Sequence, residues 1–285
     1  MTLVAFVSGR SHGVTSTAHA LSLTWPSLRR AIVAEVDPAG GALAVRQDLI
    51  PEPGLTTLAA AGRRGLAPEA VLGHCQQLRD GGVALLAPIT PEKTASALSV
   101  LGTRLATALD AVPGVDVLAD CGRIDSRSPS LELARSARYL VIVVAPSLEG
   151  VAHCQGRIEI LGLIQGRAAV LTIGSRPYRP DEVGAALGLP VLGSLANDRQ
   201  GAQDLAVGHF GRRSELFRSA TAVADRLADH LTPVVPEEPT ARVATAGLSP
   251  PFAPLAASRP QPWSPPKRAG QNDAETSKVA SADGG

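Results

Sequence analysis

The chain has 285 residues, 45% hydrophobic and 19% charged, and its 27 basic and 26 acidic side chains leave a formal net charge of +1. That length fits one large domain or two small ones with a sizeable core, and the charge balance excludes a chain-wide polycation or an acidic tail protein. Three cysteines, Cys75, Cys121 and Cys154, are too widely spaced for a paired metal knuckle and odd in number for a disulfide set.

The expectation is a soluble, cytoplasmic protein. The apolar stretch Leu3 to Val7 is shorter than a signal-peptide core, and no run approaches the roughly 18 apolar residues of a membrane span. Of the basic residues only Lys93, Lys267 and Lys278 are lysines, so lysine-dependent chemistry has few candidates.

Short aliphatic runs predict strands over 3–8, 31–36, 83–87, 115–120, 139–145, 168–173 and 190–195. Most are continuously apolar, as strands covered on both faces require. Between the first two, Val14, Ala18, Leu21 and Trp25 repeat at helical spacing, with Pro26 as the stop. Leu216, Ala220, Val223, Leu227 and Leu231 mark a final helix. Strands alternating with helices predict a doubly wound α/β layer with a mostly parallel sheet over residues 1–231. Beyond it, residues 232–285 hold 10 of the 23 prolines among small polar residues, and are expected to be a disordered tail.

Ligands of such sheets sit at the carboxyl ends of strands. The first strand there runs into Gly9-Arg10-Ser11-His12-Gly13-Val14-Thr15-Ser16-Thr17 and then a helix, which places backbone N–H groups and a helix dipole at one point, suited to an anion. The second ends in Glu35-Val36-Asp37-Pro38-Ala39-Gly40-Gly41, and the fourth closes on Asp120-Cys121-Gly122-Arg123. Two carboxylates facing an anion-binding loop are suited to Mg²⁺.

Together these loops resemble the ParA/MinD group of P-loop ATPases with a deviant Walker A motif, over roughly residues 1–231. EVDPAGG is similar to the family's D-x-D-P-x-G-N segment, and VDVLADCGR to its Walker B strand. The resemblance implies ATP and Mg²⁺ as cofactors, Asp37 positioning the attacking water, Asp120 as the Walker B acid, and Ser16 as the Mg²⁺-ligand hydroxyl beside Asp37 and Asp120. Gly188 to Gly193 and then Asn197-Asp198-Arg199 resemble the late strand and the nucleotide-flanking loop. Such proteins are nucleotide-gated dimers that position chromosomes, plasmids, division sites or secretion and pilus machines.

The loop departs from G-K-G-G-V-G-K-T-T. At equal length Arg10 stands at the signature lysine, Val14 at the second glycine and Thr15 at the phosphate lysine. An alignment on Gly13-Val14 leaves the loop one residue short and equally without lysine. Gly174 stands where relatives carry a base-recognising Asn. Two readings follow: a spatial regulator with a degenerate site that binds ATP weakly or not at all and acts through protein partners, or a Mg-ATPase switching a dimer with Arg10 in the lysine's role. A small-molecule amidase or ligase on the related fold lacks its substrate-binding insertions. His12 reads as an exposed neutral histidine, His19 as packed or half exposed, Cys121 as an inert core thiol and Lys93 as solvated. The Arg pairs 29/30, 63/64 and 212/213 read as solvated surface that grips nucleic acid at most weakly. No amphipathic membrane-targeting helix is expected, so direct membrane insertion is not.

Overall fold

The computed structural model describes residues 2–10, 13–26, 28–162 and 166–231. In chain order they form β1 (Leu3–Ser8), α1 (Val14–Leu23), β2 (Ala31–Glu35), α2 (Leu43–Arg46), α3 (Leu55–Ala61), α4 (Pro68–Gly73), β3 (Gln76–Gln77) and β4 (Val83–Leu85). There follow α5 (Pro91–Leu101), α6 (Thr103–Asp110), β5 (Asp116–Arg123), α7 (Leu131–Ser136), β6 (Tyr139–Val144), α8 (Leu148–Leu161), β7 (Ala168–Ile173), α9 (Pro180–Leu187), β8 (Val191–Leu195), α10 (Arg199–Ala206) and α11 (Glu215–Leu231). The tail expected over 232–285 lies outside the described residues.

The strands make one sheet in the order β3-β4-β2-β5-β1-β6-β7-β8. Every neighbouring pair is parallel except β3–β4, which is antiparallel. All seven expected strands are present. The eighth, β3, has no apolar run to reveal it, since it consists of two glutamines. β4 is shorter than expected because its last residues bond elsewhere: the Leu86 carbonyl accepts from the Leu55 amide at 2.8 Å, and the Ala87 amide donates to Glu35 at 3.0 Å. β5 is longer and bulged. Phe6 pairs with Asp120 but Ser8 with Arg123, so an extra residue lies at Cys121-Gly122.

Both faces are covered, as parallel pairing requires. On one face α1, α10 and α11 pack on the sheet in a continuous core that includes Val14, Ala18 and Leu21, Phe6, Leu118 and Val143, and Ala220, Val223, Leu227 and Leu231. Trp25 lies past the end of α1, where Thr24 caps the last turn by donating its hydroxyl to the Ala20 carbonyl at 2.9 Å. The Trp25 indole instead donates to Asp116 at 3.1 Å. Arg29 holds the same carboxylate with two nitrogens, each at 2.8 Å, and donates to the Ala228 carbonyl of α11 at 3.2 Å. Arg29 is therefore a structural clamp at the amino edge of the sheet, while Arg30, Arg63, Arg64, Arg212 and Arg213 are exposed.

A second polar knot fixes α1 from the side. His19 is buried, with Nε2 3.0 Å from Asp80 Oδ2. Asp80 also accepts from Gln47 Nε2 at 3.1 Å and from the Gly82 amide at 3.0 Å, and Gln47 reaches the Leu205 carbonyl at 3.4 Å. Burial pushes Asp80 up, but His19, the Gly82 amide and Gln47 outweigh it and hold the carboxyl below its ordinary value. A lowered carboxylate stabilises the fold above pH 3.8, and the contribution is lost as pH falls through the lower folded value. Asp80→Ala removes the acceptor that His19, Gln47 and the Gly82 amide share, and is expected to cost about 3–5 kcal/mol in urea denaturation at pH 7. Asp48→Ala, which breaks the exposed pair with Arg79, is expected to change stability by less than about 1 kcal/mol.

Candidate functional site

The loop after β1 passes so close to α8 that only glycine fits at its first position. A Cβ on Gly9 would lie 2.7 Å from the His153 carbonyl carbon and oxygen and 2.8 Å from the Cys154 nitrogen. Arg10 Nη1 stands 3.3 Å from Glu149 Oε2 on α8, with the two side chains 58% and 79% exposed. The Ser8 hydroxyl donates to the Arg10 carbonyl. Ser11 and His12 lie outside the described residues. Gly13 then takes the left-handed conformation, φ 71° and ψ 32°, as the N-cap of α1. Among the described residues no side chain caps this helix, and its first turn carries no acid. It therefore presents uncompensated N–H groups at the carboxyl edge of the central strand.

The two hydroxyls of the first turn face different partners. Thr15 donates to Asp120, whereas the Ser16 hydroxyl accepts from Arg46 Nη1 at 3.3 Å. The structure thus sets Thr15, not Ser16, against the carboxylate at the end of β5. In the pattern G-x-x-x-x-G-K-[ST] the residue just before that hydroxyl is the lysine that reaches the phosphates. Here it is Val14, 5% exposed and part of the core. Gly9 to Gly13 is one residue shorter than the G-x-x-x-x-G of that pattern. Thr17 is buried.

Three acids converge at the ends of β2 and β5. Asp120 lies opposite both Phe6 and Glu35 in the sheet. Its Oδ1 accepts from the Gly122 amide at 3.0 Å. Burial, joined by the negative charges of Glu35 and Asp37, raises its pKa to about 7 against the hydrogen bonds from Thr15 and Gly122. Asp37 accepts from the Ala39 amide at 2.8 Å, and burial raises it too, opposed by that bond and by the charge of Arg123. Its carboxylate lies against the bulge of β5, where a Cβ on Gly122 (φ 61°) would sit 1.9 Å from Asp37 Oδ2.

Glu35, which the sequence reading passed over, fastens the loop between them. It accepts from the Ala42 amide at 2.6 Å, the Leu43 amide at 2.8 Å and the Ala87 amide at 3.0 Å. Burial is the largest influence on Glu35 and raises its pKa, those three bonds and the charge of Arg46 acting against it. The clue was available: a charge closing an otherwise apolar strand, two residues before Asp37. The Cys121 thiol is buried and pushed well above its ordinary value by burial and by the neighbouring Asp120 and Asp37 charges, so it is an inert core group.

Among the described residues no group of three or more His, Cys, Asp or Glu is placed to hold a metal by itself. The Thr15 hydroxyl with the Asp120 and Asp37 carboxylates is an oxygen donor set of the kind Mg²⁺ takes when phosphate oxygens and water complete the shell. Beside the first turn of α1 opens a cavity of about 630 Å³. Gly13, Ser16 and Arg46 line it together with Ala145, Ile173 and Asn197. Gly174 stands next to it, and a Cβ there would be 3.4 Å from Asn197 Cβ. Lys93 lies in a different cleft, with Thr56 and Arg63.

No family model matches the sequence, and no curated protein does. Solved structures do. A ParA family ATPase from Chlorobium tepidum is 17% identical, with a TM-score of 0.62 over 78% of this chain and 98% of that one. The cell division ATPase MinD of Pyrococcus furiosus is 15% identical, with a TM-score of 0.61 over 80% and 98%. A chain of the MinC:MinD cell division complex of Aquifex aeolicus is 13% identical, with a TM-score of 0.56 over 82% and 98%. The chain has the fold of the ParA/MinD ATPases.

A carboxylic acid raised in the folded state takes up a proton on folding, so stability is greatest below the unfolded value of 3.8 and falls as pH rises toward about 7. Asp120→Asn is expected to flatten that fall, which is on the order of 4 kcal/mol, and to melt above wild type at pH 8 in a chelating buffer. An unchanged stability–pH curve counts against the raised value.

Proposed function

We propose that this chain is a positioning protein of the ParA/MinD kind whose nucleotide site holds ATP weakly and does not hydrolyse it, so that it works through contacts with protein partners and with a second copy of itself. The observation that carries this reading is the buried Val14 immediately before the hydroxyl that meets Asp120. Phosphoryl transfer depends on positive charge fixed against the transferring group, and a valine supplies none. The fold is that of a ParA family ATPase and of MinD, and one such structure is a complex of MinD with MinC.

The remaining parts are of the right kind for holding Mg-nucleotide. Thr15 and Asp120 would hold the metal and Asp37 would orient a water, while the uncapped turn of α1 would take a phosphate. Mg²⁺, when bound, neutralises phosphate charge. What Val14 does not supply is the further cation, fixed just before Thr15, that separates holding from hydrolysis. Lys93, lying in another cleft, does not supply it.

The second reading, a working ATPase with Arg10 in the lysine's place, has one observation in its favour. The Arg10–Glu149 pair is exposed, and such pairs are worth only about 0–1 kcal/mol, so a bound phosphate could draw Arg10 away.

Phosphate release under Mg-ATP separates the two. Wild type is expected at background. Val14→Lys restores the charge just before Thr15, and since one electrostatic stabiliser is typically worth about 10² to 10³ in rate, release should become measurable. Asp120→Ala added to Val14→Lys should abolish the gain, with a melting curve on each variant to confirm folding. Release by wild type that Arg10→Ala eliminates would establish the second reading instead.

A further inference from the structure

The missing lysine directs attention to the other cations at the carboxyl edge, and their engagements differ. Arg10 is paired with Glu149. Arg123 acts on Asp37. Arg46, at the end of α2, crosses thirty residues of sequence to donate to Ser16 in the first turn of α1. Among the described residues no carboxylate lies within ion-pair distance of it. Its charge reaches Glu35 through space, but the Glu35 oxygens already accept from three backbone amides.

The position of Arg46 is set by that same clamp. Two of the three amides held by Glu35, those of Ala42 and Leu43, belong to the start of α2. The next residue but two is Arg46, whose guanidinium lines the cavity of about 630 Å³ together with Ser16 and Gly13. The rest of the lining includes an apolar wall from Ala145, Ile173 and Leu195, and a polar side from Asn197, Asp198, Gln203 and the exposed Arg199 of α10. Of the two arginines it is Arg46 that bonds to Ser16. A planar cation and uncapped N–H groups beside an apolar wall suit a molecule that joins an anionic group to a flat apolar body.

We infer that Arg46 is the phosphate-binding cation of this site, reaching in from the loop after β2 to take the ground-state role that a P-loop lysine fills from α1, and that the cavity it lines takes a nucleoside di- or triphosphate. This rests on the nucleotide reading above and deepens it. Arg46 is delivered by a different element and meets Ser16 rather than Asp120, so it serves binding without restoring the charge just before Thr15.

The test is calorimetric titration of the full chain at low salt with ADP, ATP, adenosine and pyrophosphate. Wild type should bind both nucleotides. Arg46→Ala should weaken them about 10- to 100-fold, as expected for loss of charge-assisted hydrogen bonds, and leave adenosine unchanged. Arg46→Lys should recover part of the loss, and Arg10→Ala should stay within about twofold. Equal weakening of adenosine would make Arg46 a merely structural residue and overturn the inference, as would ADP binding unaltered in Arg46→Ala. Loss of ADP binding on Arg10→Ala alone would transfer the role to Arg10 while the nucleotide reading stands. Absence of any nucleotide binding by wild type would overturn both. If Arg46→Ala melts well below wild type, the comparison of Arg46→Gln with Arg46→Lys decides in its place.

Discussion

One buried acid governs the carboxyl edge of this molecule. Asp120 sits at the end of the strand between β1 and β2, with no cation against it among the described residues, held by a hydroxyl from α1 and the amide of its own bulge. Removing a carboxylate from water is costly, and the neighbouring Glu35 and Asp37 raise that cost. Everything around it serves to make the arrangement tolerable. Thr15 is placed by the glycine turn at Gly13, Glu35 is saturated by three amides, and Gly122 leaves the space that Asp37 fills. An edge that gathers three acids around one buried carboxylate is electrostatically suited to a positive partner.

The architecture was legible because a parallel sheet covered on both faces writes itself as unbroken aliphatic runs. Runs such as those of β1 and β6 carry the pattern without interruption, and each is buried throughout. What escaped was held by other means. β3 is two glutamines recruited by pairing alone, and Trp25 continues the helical spacing of α1 yet serves Asp116 beyond the helix end. Arg29 likewise reads as half of a basic surface pair and proves to be a two-pronged clamp on that same carboxylate.

The site was legible in its loops and not in its contacts. That the segments after β1, β2 and β5 meet follows from strand order, and the carboxylates of Asp37 and Asp120 stand where those loops place them. Which hydroxyl would face Asp120 depended on where α1 begins, and helix starts are the least readable feature of a sequence. The left-handed Gly13 settles it by starting the helix at Val14. Glu35 and Arg46 were missed for a different reason. Arg46 meets Ser16 on another helix and Glu35 joins its own following loop to Ala87 beyond another strand, and spacing along the chain carries no trace of such pairs.

The anchoring of α1 has a mechanical consequence. At ten residues it is about 15 Å long, close to the extent of the strands it covers. One end opens toward the cavity, the flank is tied through His19 to Asp80, and just beyond the other end Trp25 grips Asp116. A helix pinned along its length behaves as a fixed anvil. Whatever settles on its first turn presses against something that does not recoil, and the displacement falls on the lighter arch between Asp37 and Leu43. That arch is in turn riveted by Glu35 at Ala42 and Leu43.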